Sequence, residues 1–287
     1  MTRLRLDPTL LASLVLCAAC APAGSDAEAR AGGEEVVASD EVLDDLRNLE
    51  TAVTPLPATT PAGEQGAWFS RRRDTLERLA HATRAHGIEA LRRFRERPDA
   101  LPQVRSALLH VAAHNSPDEA RAILEGLLLT FGDDMVVRTQ AATLLPVASP
   151  QRAIELLEPI LLGQRRGTTY PAEDMLLGAW NTAALALERD RVPVLCAVAT
   201  DLPRDMATRH QATKLLGEIE SEQGRQALEQ LLVESSGNHM LRRYAAQSLS
   251  RSVDAARICP VLVRTRDNES DVNFQLFLDD LIQKTCP

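Results

Sequence analysis

The sequence predicts an all-α fold, a right-handed α-solenoid of about six helix pairs closed by a C-terminal helix, and three observations support this prediction. First, the stretch Asp134–Leu145 returns 71 residues later as Asp205–Leu216, with Asp-Met, Arg, Gln-Ala and Leu-Leu at the same places. Second, apolar residues in each copy keep the spacing of one helical face. Third, Ser-Pro pairs separate successive apolar stretches. Repeats of this period are typical of solenoids, whose units cover one another's apolar faces.

Weaker copies of the repeat complete the series. A third, looser copy has its arginine at Arg242, 33 residues after Arg209. Because 71 is about twice 33, a further unit is expected between the two best copies. The pair Asp174-Met175 and the stretch Trp180–Leu187 both indicate it, in registers two residues apart, and both registers stay open. We count six helix pairs between residues 66 and 266.

Serine followed by proline marks the start of the second helix in two units. Ser149-Pro150 and Ser116-Pro117 each combine a favoured N-cap with proline at the first helical position. Glu119 lies three residues after Ser116, which is the spacing of a capping box. An amphipathic helix near the C-terminus is expected to close the stack. Its apolar residues are Phe274, Phe277, Leu278, Leu281 and Ile282.

The repeat resembles a known family. Asp134-x-x-Val137-Arg138-x-x-Ala141-Ala142-x-x-Leu145, and the stretch Ala212–Leu231, resemble the HEAT-like repeat, including the short variety found in phycobilin lyases. The resemblance covers roughly 200 of the 287 residues. It implies an aspartate that caps the first helix, an arginine on the helix surface, and small alanines that let helices approach closely. It implies no catalytic position.

The N-terminus predicts export. Arg3 and Arg5 precede an apolar run too short to span a bilayer, which needs about 20 residues. The run ends in Ala18-Ala19-Cys20, which resembles a bacterial lipobox and implies cleavage after residue 19 and lipidation of Cys20. Cys17 stands where that motif usually has leucine, so a plain secretory signal remains open. We expect a lipid-anchored protein of the bacterial outer membrane that faces the periplasm; the alternative is a soluble periplasmic or secreted protein.

Residues 20–65 are predicted to form a disordered tether between the lipidated cysteine and the helical domain, residues 66–287. The segment is acidic and rich in proline, and it holds too little apolar surface to offset the entropy lost on ordering. Glu41–Leu49 has the spacing of a short helix, which the later prolines would end.

Charge limits the possible partners. The formal net charge is −8 and the chain has two Trp and two Tyr, which argues against nucleic acid as a partner. Residues 71–97 are basic and hold nine Arg against four carboxylates. Arg71, Arg72 and Arg73 suit either a solvated helix face or an anionic partner, such as a lipid head group or the acidic tether itself.

No catalytic or metal-binding pattern stands out. His110 and His114 have the spacing with which two imidazoles share a metal, but no Glu follows His110 as it does in HEAT-like iron enzymes. The chain lacks a Gly-x-Ser-x-Gly elbow and a phosphate-cradling glycine loop. We expect no catalytic residue, metal or cofactor. Arg121 and Arg152 occupy matching places in adjacent units and either are solvated or line the concave face.

Three cysteines follow the lipidated Cys20, and in an oxidising compartment they allow one intramolecular bridge at most. Cys196 and Cys259 fall at matching places in units that are not neighbours, too far apart for a bond that needs Cα atoms within about 7 Å. Cys286 ends the closing helix, which must pack on the unit that carries Cys259. We predict a Cys259–Cys286 disulfide and a buried free thiol at Cys196; three reduced thiols are the alternative.

These observations predict a monomeric, membrane-tethered periplasmic scaffold or adaptor that binds another envelope protein or peptide through its concave face. Two alternatives remain. One is an enzyme or cofactor-handling protein of the phycobilin-lyase type, which an enclosed polar pocket with a perturbed carboxylate would favour. The other is a purely structural envelope lipoprotein.

Overall fold

The structure, a computed structural model, describes residues 38–130, 133–164, 171–219, 221–234, 239–251 and 255–286. Within these ranges the chain forms fourteen α-helices and no strand, which confirms the predicted all-α class. The helices are α1 (Asp40–Val53), α2 (Ala62–Ala80), α3 (Arg84–Glu96), α4 (Pro102–Asn115), α5 (Pro117–Leu129), α6 (Met135–Ala148), α7 (Pro150–Leu161), α8 (Glu173–Ala186), α9 (Val192–Thr200), α10 (Met206–Leu216), α11 (Glu222–Glu234), α12 (His239–Ser250), α13 (Ala255–Asp267) and α14 (Val272–Thr285).

From α2 onward the helices alternate between two rows. The first row consists of α2, α4, α6, α8, α10, α12 and α14, and each of these contacts the next one in the series. The second row consists of α3, α5, α7, α9, α11 and α13, and each of these packs on the first-row helix that follows it. Neighbouring second-row helices contact each other more sparsely. The described chain thus runs through six consecutive helix pairs before α14, the number that the sequence predicts.

The core lies between the two rows and is built from repeat positions. Leu144 and Leu215, which occupy the same place in the two best copies, are buried with 3% and 7% of their surface exposed. Ala141 and Ala212 are fully buried at another shared place. Since alanine leaves room for a neighbouring helix, these positions allow successive first-row helices to pack closely.

Helix α1 corrects the predicted tether, because the folded part begins well before residue 66. Val42, Leu46, Leu49 and Val53 lie on one face of α1 and are all buried. This helix packs against α2, α3 and α4. The four residues have the i, i+4, i+7, i+11 spacing of an amphipathic helix, which overall composition conceals. Residues 40–53 therefore belong to the helical domain.

Two carboxylates of α1 bind the basic stretch at residues 71–97. Asp45 pairs with Arg78 at 3.0 Å and lies 3.2 Å from Nε2 of His86. Glu50 pairs with the largely buried Arg93 at 3.1 Å. Carboxylates of the acidic segment therefore contact part of the arginine-rich segment. These contacts hold α1 against α2 and α3.

The repeated arginine is buried, which corrects the expectation that it lies on the helix surface. Arg138, Arg209 and Arg242 are at most 8% exposed. In each, Nε donates a hydrogen bond to a carbonyl in the last turn of the preceding second-row helix. The acceptors are Leu127 at 3.2 Å, Ala199 at 3.0 Å and Leu232 at 2.8 Å. Because the last carbonyls of a helix lack partners within it and carry partial negative charge, the arginine stabilises the end of that helix.

The predicted aspartate caps are present and the predicted capping box is absent. The side chains of Asp134 and Asp205 accept hydrogen bonds from backbone N–H groups in the first turns of α6 and α10, at 2.7 and 3.0 Å. Ser116 stands at the start of α5 but makes no side-chain cap. Its hydroxyl instead donates to the carbonyl of Ala112, at 3.3 Å, near the end of the preceding helix.

Burial decides the register of α8, which matches neither predicted alternative. Five of the six buried residues of α8 lie 39 positions after buried residues of α6: Leu176, Leu177, Trp180, Ala183 and Ala184 follow Val137, Arg138, Ala141, Leu144 and Leu145. Leu177 thus stands where α6, α10 and α12 have arginine. Arg204, in the loop before α10, donates instead to the carbonyl of Leu161 at 2.5 Å and stabilises the end of α7.

Candidate binding surfaces

A groove, here called the first-row groove, crosses α6, α8 and α10 on the solvent side of the first row. It encloses about 280 Å³ and is lined by Thr143, Asp174, Met175, Gly178, Ala179, Thr182 and Gln211. Apart from Asp174 the lining is uncharged, and the one charged residue of α6, Arg138, is buried. Hydroxyl and amide groups bind the N–H and C=O groups of a polypeptide main chain. The groove therefore suits an extended peptide.

Gly178 lies in this groove, in the middle of α8. A glycine inside a helix costs roughly 0.5–1 kcal/mol relative to alanine. Apart from its chain neighbours and the nearby backbone of α8 itself, no atom lies within 4 Å of the position that a Cβ would take, so packing among the described residues does not require glycine here. Gly126, in the last turn of α5, has equally open surroundings on the second row. The two positions form a matched pair on opposite rows.

Arg121 and Arg152, which occupy matching places in the sequence, lie beside the same groove. Both line an open groove of about 580 Å³ between α5 and α7, in the second row. Arg152 forms ion pairs with Glu125 at 3.0 Å and with Glu155 at 2.8 Å. Two glutamates beside two arginines leave this groove close to neutral, which makes it a weak site for an anion.

Arg71, Arg72 and Arg73 lie on α2 in three different surroundings. Arg71 lines an open groove of about 630 Å³ between α1 and α2. The guanidinium of Arg72 is 5.6 Å from the ring centroid of Trp68. Arg73 pairs with its neighbour Asp74 at 3.3 Å. This arrangement is typical of a solvated helix face.

Sequence reasoning missed a row of exposed methionines. Met135, Met175, Met206 and Met240 are all the methionines of the described residues, and they lie in the first turns of α6, α8, α10 and α12. Their exposed fractions are 39–52%. The Asp-Met pair at the start of three units was visible in the sequence, but recurrence alone does not tell whether a side chain faces the core or the solvent.

The two histidines of α4 lie against each other. The ring centroids of His110 and His114 are 4.3 Å apart, and Nδ1 of His114 lies 2.9 Å from the carbonyl of His110, which it reaches as a donor. Burial, and then the charge of His114, lowers the pKa of His110 to about 4. Among the described residues no group of three or more His, Cys, Asp or Glu is arranged to hold a metal ion.

Stability should fall as the pH is lowered from about 6.5 to about 4, with His110 as one cause. The pKa of His110 is lower in the folded protein than in the unfolded chain, so the unfolded chain binds this proton at a higher pH. Protonation therefore stabilises the unfolded state relative to the folded state. We expect His110→Gln to lose less unfolding free energy than the wild type between pH 7.5 and pH 5, measured by urea unfolding. His81→Gln, at an exposed histidine, is the control. Equal losses in the wild type and His110→Gln would contradict the assignment.

The predicted pair of cysteines is bonded. Cys259 in α13 and Cys286 at the end of α14 form a disulfide, with their Cα atoms 5.7 Å apart. Cys196 in α9 is a free thiol, but it is half-buried and not fully buried as predicted. Burial, together with the charge of Asp190, raises the pKa of the Cys196 thiol, which makes it a weak nucleophile. The bridge ties the last helix to the unit before it.

Removing the bridge should lower the free energy of unfolding by about 3–4 kcal/mol, because it closes a loop whose ends are 27 residues apart. We expect this loss in Cys286→Ser under non-reducing urea unfolding, and little change in Cys196→Ser. Peptide mapping supplies a direct check. Recovery of Cys286 as an alkylatable thiol from the folded wild-type protein would show that the bridge is absent.

The predicted lipid attachment site, Cys20, and the signal peptide lie outside the described residues. In the part of the chain that the structure does describe, no helix combines the length and the apolar character needed to cross a membrane. The chain matches no family model, no curated protein and no solved structure in comparison. The resemblance to HEAT-like repeats therefore rests on the repeat residues themselves.

Proposed function

We propose that this protein is a membrane-tethered periplasmic scaffold or adaptor, a right-handed HEAT-like α-solenoid that binds another envelope protein or peptide on its concave face. The observation that carries the proposal is the first-row groove, an open and almost uncharged surface that crosses three successive helices. Extended surfaces of this kind are what stacked helix pairs present to partners.

The spacing of the two rows supports the choice of face. Successive first-row helices contact each other throughout, while α5 and α7 are separated by an open groove. A stack of helices curves toward the side on which its members lie closer together, so the first row forms the concave face. On this reasoning Arg121 and Arg152 lie on the convex side, away from the proposed partner.

The shape of the grooves favours a polypeptide as the partner. The grooves beside α2, α5 and α8 are all open to solvent, whereas sites for small molecules and cofactors are usually enclosed and apolar. Thr143, Thr182 and Gln211 offer both donors and acceptors, as an extended main chain requires.

The matched glycines test this function. A photo-crosslinking residue at Gly178 should form an adduct with an envelope protein in living cells, and the same residue at Gly126 should not, although both positions have open surroundings. In the same cells Gly178→Arg should abolish capture of that protein by the lipid-anchored chain, and Gly126→Arg should preserve it. The same adducts at both positions, or none at position 178, would refute the proposal.

The anchor is tested at Cys20. Acyl chains on this residue would bind the bilayer with about 0.8 kcal/mol for each buried CH₂ group. We expect wild-type protein in the outer-membrane fraction and Cys20→Ala in the soluble fraction. Cys17→Ala serves as the control, since it keeps the modified position. A Cys20→Ala chain that remains membrane-bound with an unchanged mature N-terminus would show that the anchor is assigned wrongly.

A further inference from the structure

Exposed apolar residues line one edge of the stack, at the N-terminal ends of the first-row helices. The first turns of α6, α8, α10 and α12 carry Met135, Met175, Met206 and Met240, respectively. The series continues at both ends, since Leu101 just before α4 is 49% exposed and Val272 at the start of α14 is 65% exposed. We name these six residues the methionine edge. With neighbouring helices about 8–10 Å apart, it runs for about 45 Å.

Carboxylates accompany the apolar side chains along this edge. Asp134, Asp174, Asp205 and Asp271 lie within the first turn or at the cap of the same helices. The arginines nearby are withdrawn from solvent, since the Arg204 side chain is 5% exposed and the Arg105 side chain is 11% exposed. The methionine edge therefore presents apolar groups flanked by negative charge.

From this combination we infer that the methionine edge binds a cationic, amphipathic polypeptide segment. Methionine is flexible and polarisable, so a row of methionines adapts to apolar side chains of different shapes. The carboxylates attract basic side chains and repel acidic ones, which selects the charge of the partner. The length of the edge matches an extended segment of about 13 residues. The inference rests on the proposed scaffold function and adds the chemistry of the partner.

The binding experiment uses residues 21–287, which retain every described helix, and the helices belong to one compact unit. The probe is a fluorescent peptide of leucine and lysine, about 14 residues long and amphipathic. Two comparison peptides replace lysine by glutamate, or leucine by serine. We expect the leucine–lysine peptide to bind at least about tenfold more tightly than either comparison peptide, because each lacks one of the two required features.

Two quadruple variants locate the binding. One replaces Met135, Met175, Met206 and Met240 by glutamine. The control replaces four more exposed apolar residues elsewhere by glutamine: Phe69, Leu185, Val233 and Leu276. We expect the methionine variant to lose at least about tenfold in affinity for the leucine–lysine peptide and the control to change less than about twofold. Bound peptide should also slow peroxide oxidation of the four methionines in the wild type, measured residue by residue by mass spectrometry.

Four results would overturn the inference. These are equal losses of affinity in the two variants, equal binding of the glutamate peptide, unprotected methionines, and self-association that the methionine variant abolishes, which would assign the edge to a second copy. The proposed function fails separately. If the crosslinker at Gly178 captures a partner while the peptide experiments are negative, the scaffold stands and the partner chemistry is wrong. If the peptide binds as expected but position 178 captures nothing, the edge stands and the first-row groove is not the docking site.

Discussion

Replacing Arg242 by methionine should lower the free energy of unfolding by about 3–5 kcal/mol, because it leaves a buried carboxylate without its cation. Nη2 of Arg242 lies 2.5 Å from Oε2 of Glu269, and the two side chains are 10% and 7% exposed. This oxygen has no other hydrogen-bond partner in the described structure. The guanidinium also lies 4.3 Å from the ring centroid of Phe274 and donates through Nε to the carbonyl of Leu232. One side chain therefore links α11, α12 and α14.

Matched variants separate these contributions. Arg243→Met, at the neighbouring position on α12, removes an arginine that is half-buried over Phe277, and it should cost less than about 1 kcal/mol. Adding Glu269→Leu to Arg242→Met should recover part of the loss, since removing both members of a buried ion pair is often close to neutral. Urea unfolding of the four proteins gives the comparison. A loss in Arg242→Met no larger than that in Arg243→Met would contradict the structural role of the pair.

The pH dependence of the Arg242 variant has a definite sign. In the wild type, burial opposes ionisation of Glu269, but backbone N–H groups and the Arg242 guanidinium outweigh it and lower the pKa of this carboxyl. The contribution of ionised Glu269 to wild-type stability is therefore fully present above the pKa that this carboxyl has in the unfolded chain. It is lost as the pH falls through the pKa of the same carboxyl in the folded protein. Without the guanidinium, Glu269 should protonate at a higher pH. The deficit of Arg242→Met should therefore be largest near pH 7 and should shrink as the pH is lowered toward 5.

Truncating either Leu144 or Leu215 to alanine should lower the free energy of unfolding by about 2–5 kcal/mol. Both side chains are buried in the seam between helices, at the same place in two copies of the repeat. The loss combines the transfer of apolar groups with the cavity that remains. Leu185→Ala, at a position 53% exposed on α8, is the control and should change stability by less than about 1 kcal/mol. A loss that small at Leu144 or Leu215 would mean that the repeat register is misread.

The two leucine variants also test the architecture. Leu144 lies in α6 and Leu215 in α10, and α8 lies between them in the first row. Sites without shared contacts give additive losses, and in a solenoid each unit interacts only with its neighbours. We expect the double variant to equal the sum of the single variants within about 0.5 kcal/mol.

The helical class, the six pairs with a closing helix, and the choice of cysteines for the disulfide could be predicted from the sequence alone. The helical class and the helix pairs depend on spacing along the chain, such as Asp134 before α6 or the 71 residues between Leu144 and Leu215, and such spacing is fully visible in a sequence. The disulfide followed because a closing helix must pack on the unit before it, and this leaves Cys259 as the partner of Cys286.

Which polar residues face inward is evident only from the packing of the helices. The sequence gives no sign that Arg138, Arg209 and Arg242 reach the carbonyl ends of the preceding helices, because a long charged side chain is usually solvated. The same limit applies to α1, whose helical spacing was visible in the sequence but whose four apolar residues become a core face only when α2, α3 and α4 supply the other side. It also hid the methionine edge. Burial and exposure depend on which helices lie beside one another, and that is a property of packing between units, not of spacing within one unit.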